Sequence, residues 1–105
     1  MSDVETAGAG AEEPAGVAQR TVTICNKRGL HARAAARFVK LAWQFDAEVT
    51  VRKNGTTVSG RSIMGLMMLA AGQGAVIKLE AEGPEGPEAI DALVALVESG
   101  FGEEN

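Results

Sequence analysis

An Asn54-Gly55 pair between two extended segments restricts the fold of this chain more than any other feature. Both central residues of a type I′ turn need positive φ angles, which asparagine and glycine adopt most readily. The segment Ala47 to Lys53 before the pair alternates apolar and polar residues, and Thr57-Val58 follows it. The pair therefore predicts an antiparallel hairpin in the middle of the chain.

The spacing of the apolar residues predicts the other elements. Thr21 to Cys25 and Val76 to Glu82 alternate and contain β-branched residues, which is typical of strands. From Ala32 to about Gln44 the apolar residues recur every three or four positions, which predicts an amphipathic helix with a basic outer face. Ser62 is the predicted N-cap of a short helical segment, Ile63 to Ala71, that Gly72 closes.

The last helix is predicted to begin at Pro87, because proline suits the first helical position. Its buried stripe would end at Phe101, next to a helix stop at Gly100. The element order is then β-α-β-β-α-β-α, which predicts an α+β two-layer domain. In such a domain a four-stranded antiparallel sheet carries three helices on one face.

Composition predicts a single domain preceded by a tail. Residues 1–19 are rich in Ala, Gly and Glu without apolar periodicity, so we expect a disordered acidic tail before a domain at 20–105. The single cysteine excludes an internal disulfide, and we expect no metal and no cofactor. No apolar run approaches the length of about 18 residues that a membrane span needs. We therefore expect a cytoplasmic monomer.

The charged residues are unevenly distributed along the chain. Residues 20–61 carry nine basic and two acidic residues, whereas residues 62–105 carry one basic and eight acidic residues. A basic face of this kind favours an acidic partner. The chain has no tyrosine and few other aromatic residues to stack on bases, so we expect a protein partner and no nucleic acid.

His31 is the single histidine, and it lies where the predicted loop enters the first helix. Its ring nitrogen can attack phosphorus, and the free N–H groups of the first helical turn can bind the resulting anion. Arg33 can pair with phosphate oxygens in a bidentate geometry. No carboxylate occurs between residues 26 and 40, so we expect no acid or base partner for His31. These residues predict a covalent phosphate carrier rather than a surface histidine or a turnover enzyme.

Two motifs identify the family that the chain resembles. The first spans Asn26 to Arg33, with Ala34-Ala35 and Phe38 after it, and the second spans Arg61 to Met67. Together they resemble the HPr family, the phosphocarriers of bacterial phosphoenolpyruvate-dependent phosphotransferase systems, over residues 20–102. The segments Asp46 to Val49 and Ser99 to Phe101 resemble its nitrogen-related NPr branch more closely.

The chain departs from the family pattern at Ala34, where the family usually has proline. Proline would preset the φ angle of the first helical turn, whereas alanine is a good helix former that restores an N–H donor. We therefore expect the function to survive with a less rigid site.

The resemblance implies an HPr-like open-faced sandwich in which His31 accepts a phosphoryl group on Nδ1 from phosphorylated enzyme I. His31 would then pass the group to an enzyme IIA protein, with Arg33 assisting the transfer. The resemblance also implies regulatory phosphorylation of Ser62 by an HPr kinase/phosphorylase; the alternative is that Ser62 is only a helix cap.

The same resemblance implies a partner-binding surface around His31. It would combine basic side chains with an exposed apolar helix face, in which flexible methionines accept several partners in turn. The residues expected on it are Lys27, Arg28, Ala32, Arg37, Ile63, Met64 and Met67. Lys40 and Arg61 are expected to add to the positive charge around His31.

A second hypothesis stays open from the sequence. The chain would be a purely regulatory module of the same fold, whose phosphorylation state controls partner proteins in nitrogen or carbon signalling. A stand-alone turnover enzyme is disfavoured, because the sequence offers no acid or base partner for His31 and little room for a substrate pocket.

Overall fold

The computed structural model of the protein describes residues 17–103. Its elements are β1 (Val17–Thr23), α1 (Ala32–Ala42), β2 (Glu48–Lys53), β3 (Thr56–Ser59), α2 (Ile63–Met68), β4 (Val76–Glu82), α3 (Gly86–Glu98) and a 3₁₀ turn (Gly100–Gly102). The strands form one antiparallel sheet in the order β1-β4-β2-β3. This confirms the predicted α+β fold, a four-stranded sheet with three helices.

The predicted hairpin is present between β2 and β3. Lys53 pairs with Thr56 across the turn, and Asn54 and Gly55 have φ angles of 50° and 86°. The turn sequence alone therefore predicted both the pairing and the backbone conformation.

The core consists of the alternating residues of the strands and the apolar stripes of α1 and α3. In β4 the inward positions Ile77, Leu79 and Ala81 are buried, as the alternation predicted. Phe38 anchors α1 against this core and is fully buried, while the basic side of α1 is exposed. The packing of α1 fixes its N-terminus, where His31 lies.

The first strand begins earlier than predicted. We expected the domain to start near Arg20, yet Val17 and Ala18 already pair with Glu82 and Ala81 of β4. Ala18 also packs against the core. These pairs with β4 extend the strand into a segment whose composition predicted a disordered tail. The rest of the predicted tail, residues 1–16, lies outside the described residues.

The second helix is shorter than predicted. It ends at Met68 with Leu69 as its C-cap, and Ala70 adopts a left-handed conformation with φ of 51°. The chain leaves the helix here, and the Ala71 carbonyl accepts a hydrogen bond from the Leu30 N–H at 2.8 Å. The chain segment after α2 therefore holds the loop before His31 in place through this hydrogen bond.

The C-terminal turn brings the end of the chain back to the start of α1. Gly100 has φ of 70° and follows Ser99, the C-cap of α3, at the position predicted for the helix stop. Phe101 is fully buried, and Glu103 accepts a hydrogen bond from Asn26 at 3.0 Å, so this segment is held against the domain. Among residues 17–103, no helix has the length and apolar character needed to cross a membrane.

Candidate functional site

His31 is the N-cap residue of α1. Its backbone is extended, with φ of −75° and ψ of −179°, and its carbonyl accepts the first helical hydrogen bond from Ala35 at 2.8 Å. The Arg33 N–H donates to Nδ1 of the His31 ring at 3.2 Å. Because Nδ1 accepts this bond, it holds a lone pair, and the proton of the neutral ring belongs on Nε2.

The other ring nitrogen contacts a carboxylate that sequence reasoning missed. His31 Nε2 donates to Oε2 of Glu103, and both side chains are largely buried, with 16% and 14% exposed. The expectation that His31 has no acid or base partner was therefore wrong. Glu103 lies 72 residues further along the chain, and only the buried Phe101 two positions earlier indicated that this segment packs onto the domain.

The environment of Glu103 favours its charged form. Partial burial raises the pKa of Glu103, but this effect is outweighed by hydrogen bonds from Asn26 and His31 and by electrostatic attraction to His31 and Arg28. The net result is a pKa below the ordinary value of 4.5. Glu103 is therefore ionised near neutral pH and accepts both hydrogen bonds as a carboxylate.

Asn26 is a second residue of the site whose role sequence reasoning missed. It is fully buried, and its Nδ2 donates to the Gly29 carbonyl at 2.9 Å and to Oε1 of Glu103 at 3.0 Å. It therefore joins the loop before His31 to the C-terminal turn.

Three arginines surround the exposed side of this centre. Arg28, Arg33 and Arg37 line a cavity of about 320 Å³ together with Gly102 and Glu103. Arg37 donates to the Phe101 carbonyl and so fastens the C-terminal turn. The Arg33 guanidinium makes no hydrogen bond or ion pair within residues 17–103, and it is exposed. Its five donors are therefore available to an anion.

Two other predicted surface residues near His31 are exposed, but two of the predicted basic residues lie elsewhere. Lys27 and Ala32 are both accessible beside the histidine. Lys40 lies in the last turn of α1, at the opposite end of the helix from His31. Arg61 donates to the carbonyls of Phe45 and Ala47 and stacks on Trp43, at the far end of α1. A helix of 11 residues is about 16 Å long, so Arg61 does not belong to the charge around His31. Its hydrogen bonds to the loop after α1 determine its position.

Ser62 occupies the predicted N-cap of α2. Its Oγ accepts a hydrogen bond from the Gly65 N–H at 2.9 Å, in an extended backbone conformation. A Cβ atom at position 65 would approach this Oγ to 3.1 Å, so the glycine leaves room for the serine side chain. Ser62 as a whole is half-buried.

The exposed side of α2 is apolar, and we call it the methionine face: Ile63, Met64, Met67 and Met68. Met64 and Met68 are 71% and 75% exposed, while Leu66 and Leu69 are buried. The predicted division of this helix into inward leucines and outward methionines is confirmed. Soluble domains rarely expose so many large apolar side chains together unless a partner covers them.

A family model described as the phosphotransferase system HPr component phosphorylation site matches residues 18–99. The chain belongs to this HPr family.

Individual relatives agree with this assignment. The phosphocarrier protein HPr of Cupriavidus necator is 53% identical over 85 residues, which cover 81% of this chain and 96% of that protein. The phosphocarrier protein NPr of Escherichia coli K12 is 44% identical over 87 residues, covering 82% and 97%. A crystal structure of HPr-C-His from Thermoanaerobacter tengcongensis superposes with a TM-score of 0.80 at 51% identity. It covers 84% of this chain and 99% of that one.

Proposed function

We propose that the protein accepts a phosphoryl group on Nδ1 of His31 from phosphorylated enzyme I and passes it to an enzyme IIA protein. The observation that carries this proposal is the hydrogen bonding of the His31 ring: Nδ1 accepts from the Arg33 N–H at a helix N-terminus, and Nε2 meets the Glu103 carboxylate. This pattern assigns the lone pair to Nδ1 and the proton to Nε2. The family assignment supports a phosphocarrier role.

In the proposed transfer, the Nδ1 lone pair attacks phosphorus as the bond between phosphorus and its carrier group on enzyme I breaks, and the electron pair of that bond stays with enzyme I. Positive charge then develops on the His31 ring, and the Glu103 carboxylate beside Nε2 stabilises it, as the buried aspartate does in a serine-protease triad. The Nε2 proton remains in the hydrogen bond to Glu103. The ring therefore needs no change of tautomer during transfer.

The incoming phosphoryl oxygens meet donors that are already in place. The Arg33 backbone N–H donates to Nδ1 before transfer. Once Nδ1 bonds to phosphorus, this N–H can donate to a phosphoryl oxygen instead. The exposed Arg33 guanidinium can add a bidentate contact. Phosphoryl transfer passes through a loose transition state, so this positioning and charge stabilisation supply most of the catalysis.

The methionine face and the basic side chains around His31 form the proposed docking surface for both partners. Lys27, Arg28 and Arg37 would steer acidic partners, while Ile63, Met64 and Met67 would supply apolar area. The surface would serve each partner in turn, so we expect the protein to act as a cytoplasmic monomer.

The test is phosphate transfer with purified components. The protein is incubated with enzyme I and labelled phosphoenolpyruvate, and the label is expected to be stoichiometric, labile in acid and stable in alkali. His31→Ala should accept none, with its melting curve as the control for folding. Label on His31→Ala, or catalytic turnover without a stable phosphoprotein, would contradict the proposal.

A regulatory module is the second candidate, and the resemblance of the segments Asp46 to Val49 and Ser99 to Phe101 to the nitrogen-related branch favours it. In this case phosphorylation of His31 would control the binding of a partner rather than supply an acceptor. Adding enzyme IIA separates the two: a carrier loses its label to enzyme IIA, whereas a regulatory module retains it.

Ser62 is proposed as a second, regulatory phosphorylation site for an HPr kinase/phosphorylase. A phosphate there would lie at the N-terminus of α2 and beside the methionine face. The helix end tolerates the added charge, but the docking surface would lose positive potential and would be harder to desolvate.

A further inference from the structure

We infer that Asn26 is a positioning residue that holds Glu103 in the orientation His31 needs, an inference that rests on the proposed function. The side-chain hydrogen bonds of Asn26 go to Gly29 and Glu103 rather than to His31. Asn26 acts on the histidine through two hydrogen bonds from a single amide nitrogen, one to the loop before His31 and one to the carboxylate behind it.

The orientation of the Asn26 amide is fixed by its neighbours. Two groups face Nδ2, the Gly29 carbonyl and Oε1 of Glu103. When Glu103 is ionised, both can act only as hydrogen-bond acceptors. A flipped amide would place its oxygen against two acceptors. The nitrogen must therefore face them, and each of its two protons has one partner.

These two bonds determine how Glu103 meets the histidine. With Oε1 held by Asn26, the other oxygen, Oε2, is directed at Nε2 of His31. The Gly29 carbonyl belongs to the loop that leads into the N-cap, so the amide also sets the distance between this loop and the C-terminal turn. Asn26 thus aligns the carboxylate with the ring nitrogen opposite Nδ1.

Packing alone does not explain an asparagine at this position. Asn26 is fully buried, and its Oδ1 has no hydrogen-bond partner within the described residues. An unpaired buried amide oxygen is costly, and a small apolar residue would avoid the cost. Among residues 17–103, Asn26 is the one buried polar residue, which fits a role that requires its two donors.

The experiment compares Asn26→Ala and Asn26→Asp with wild type. Aspartate keeps the shape of the side chain and removes both donors. Gln73→Ala is the matched control, because Gln73 also donates a side-chain amide to this strand end, at the Cys25 carbonyl, without contacting Glu103. The measurements are the rate of phosphorylation by enzyme I and the ¹⁵N shifts of the two His31 ring nitrogens.

We expect both Asn26 variants to slow phosphorylation by about tenfold or more, since small displacements of reacting groups cost that much. Their His31 ring shifts should move toward a mixture of tautomers, while Gln73→Ala behaves as wild type. In a Glu103→Ala background the effect of Asn26→Ala should shrink. Wild-type rates and ring shifts in the Asn26 variants, or an undiminished effect without Glu103, would overturn the inference.

A wild-type measurement covers the case in which the variants do not fold. The Asn26 side-chain NH₂ signals should shift as acid protonates Glu103, and they should differ in Glu103→Ala. Signals indifferent to both changes would refute the contact. If wild-type protein accepts no phosphate at all, the proposed function fails instead, and the NH₂ and ring shifts still test the positioning.

Discussion

Replacing Gly29 with alanine should damage the domain at the loop that carries His31. Gly29 has a φ angle of 66°, and a Cβ atom there would lie 2.4 Å from the Ala71 carbonyl oxygen and 2.7 Å from the Gly72 Cα. Both contacts are with backbone atoms, which cannot rotate away as a side chain would. The Leu30 N–H donates to the same Ala71 carbonyl at 2.8 Å, so relief of the clash breaks this bond.

The expected loss of stability follows from these two effects. Left-handed backbone costs an L-residue about 1–2 kcal/mol, and leaving the buried Leu30 N–H without its partner costs about 1–3 kcal/mol. A total near 3 kcal/mol would lower the melting temperature of a domain this size by about 12–24 °C. Even at temperatures where the variant is folded, its phosphorylation rate should be lower than that of wild type, because the broken bond lies one residue before His31.

The assay is thermal unfolding by circular dichroism, with Gly55→Ala as the matched control. Gly55 also has a positive φ angle, of 86°, but nothing lies within 4 Å of its Cβ position. Gly55→Ala should therefore show only the backbone cost of about 1–2 kcal/mol. Equal destabilisation of the two variants would refute the argument that the contact with Ala71 restricts position 29.

Four other outcomes are expected. Arg33→Ala should slow phosphorylation with a small change in melting temperature, because its guanidinium is exposed; a large loss of stability with normal transfer would contradict this. Ser62→Ala should cost about 0.5–2 kcal/mol of stability through the lost cap, while Ser62→Asp slows phosphorylation by enzyme I; equal rates for both and wild type would leave Ser62 only a cap. A chain that starts at Val17 should match the full chain in phosphorylation rate, and one that starts at Arg20 should be less stable because it loses three pairs with β4. The stability that Glu103 contributes should be complete above its ordinary pKa of 4.5 and should disappear as pH falls through its lowered folded-state pKa. Melting temperatures measured across this pH range should show the loss in wild type, and Glu103→Gln should lack it.

The part of the site that could be predicted from sequence is local. His31, Arg33 and the start of α1 lie within a few residues of one another, so motif and periodicity were enough to place them together. Ser62 and the turn at Asn54-Gly55 are local in the same sense, since each depends on neighbours within three residues.

The part that could not be predicted depends on distant segments. Glu103 lies 72 positions from His31 and 77 positions from Asn26, and neither Glu103 nor Asn26 lies in a pattern that marks it as part of a buried polar contact. The position of Arg61 was likewise decided by two backbone carbonyls after α1. Hydrogen bonds of this kind are set by how the chain closes on itself, which spacing along the sequence does not record.

The burial of Phe101 has a practical consequence for preparing the protein. An affinity tag fused after Asn105 would begin three residues beyond Glu103, where it can crowd or charge the neighbourhood of the histidine. The opposite end of the domain is safer: β1 has seven residues and so runs for about 24 Å, and Val17 lies at its end remote from the His31 loop. A tag placed at the N-terminus should therefore leave phosphotransfer assays undisturbed.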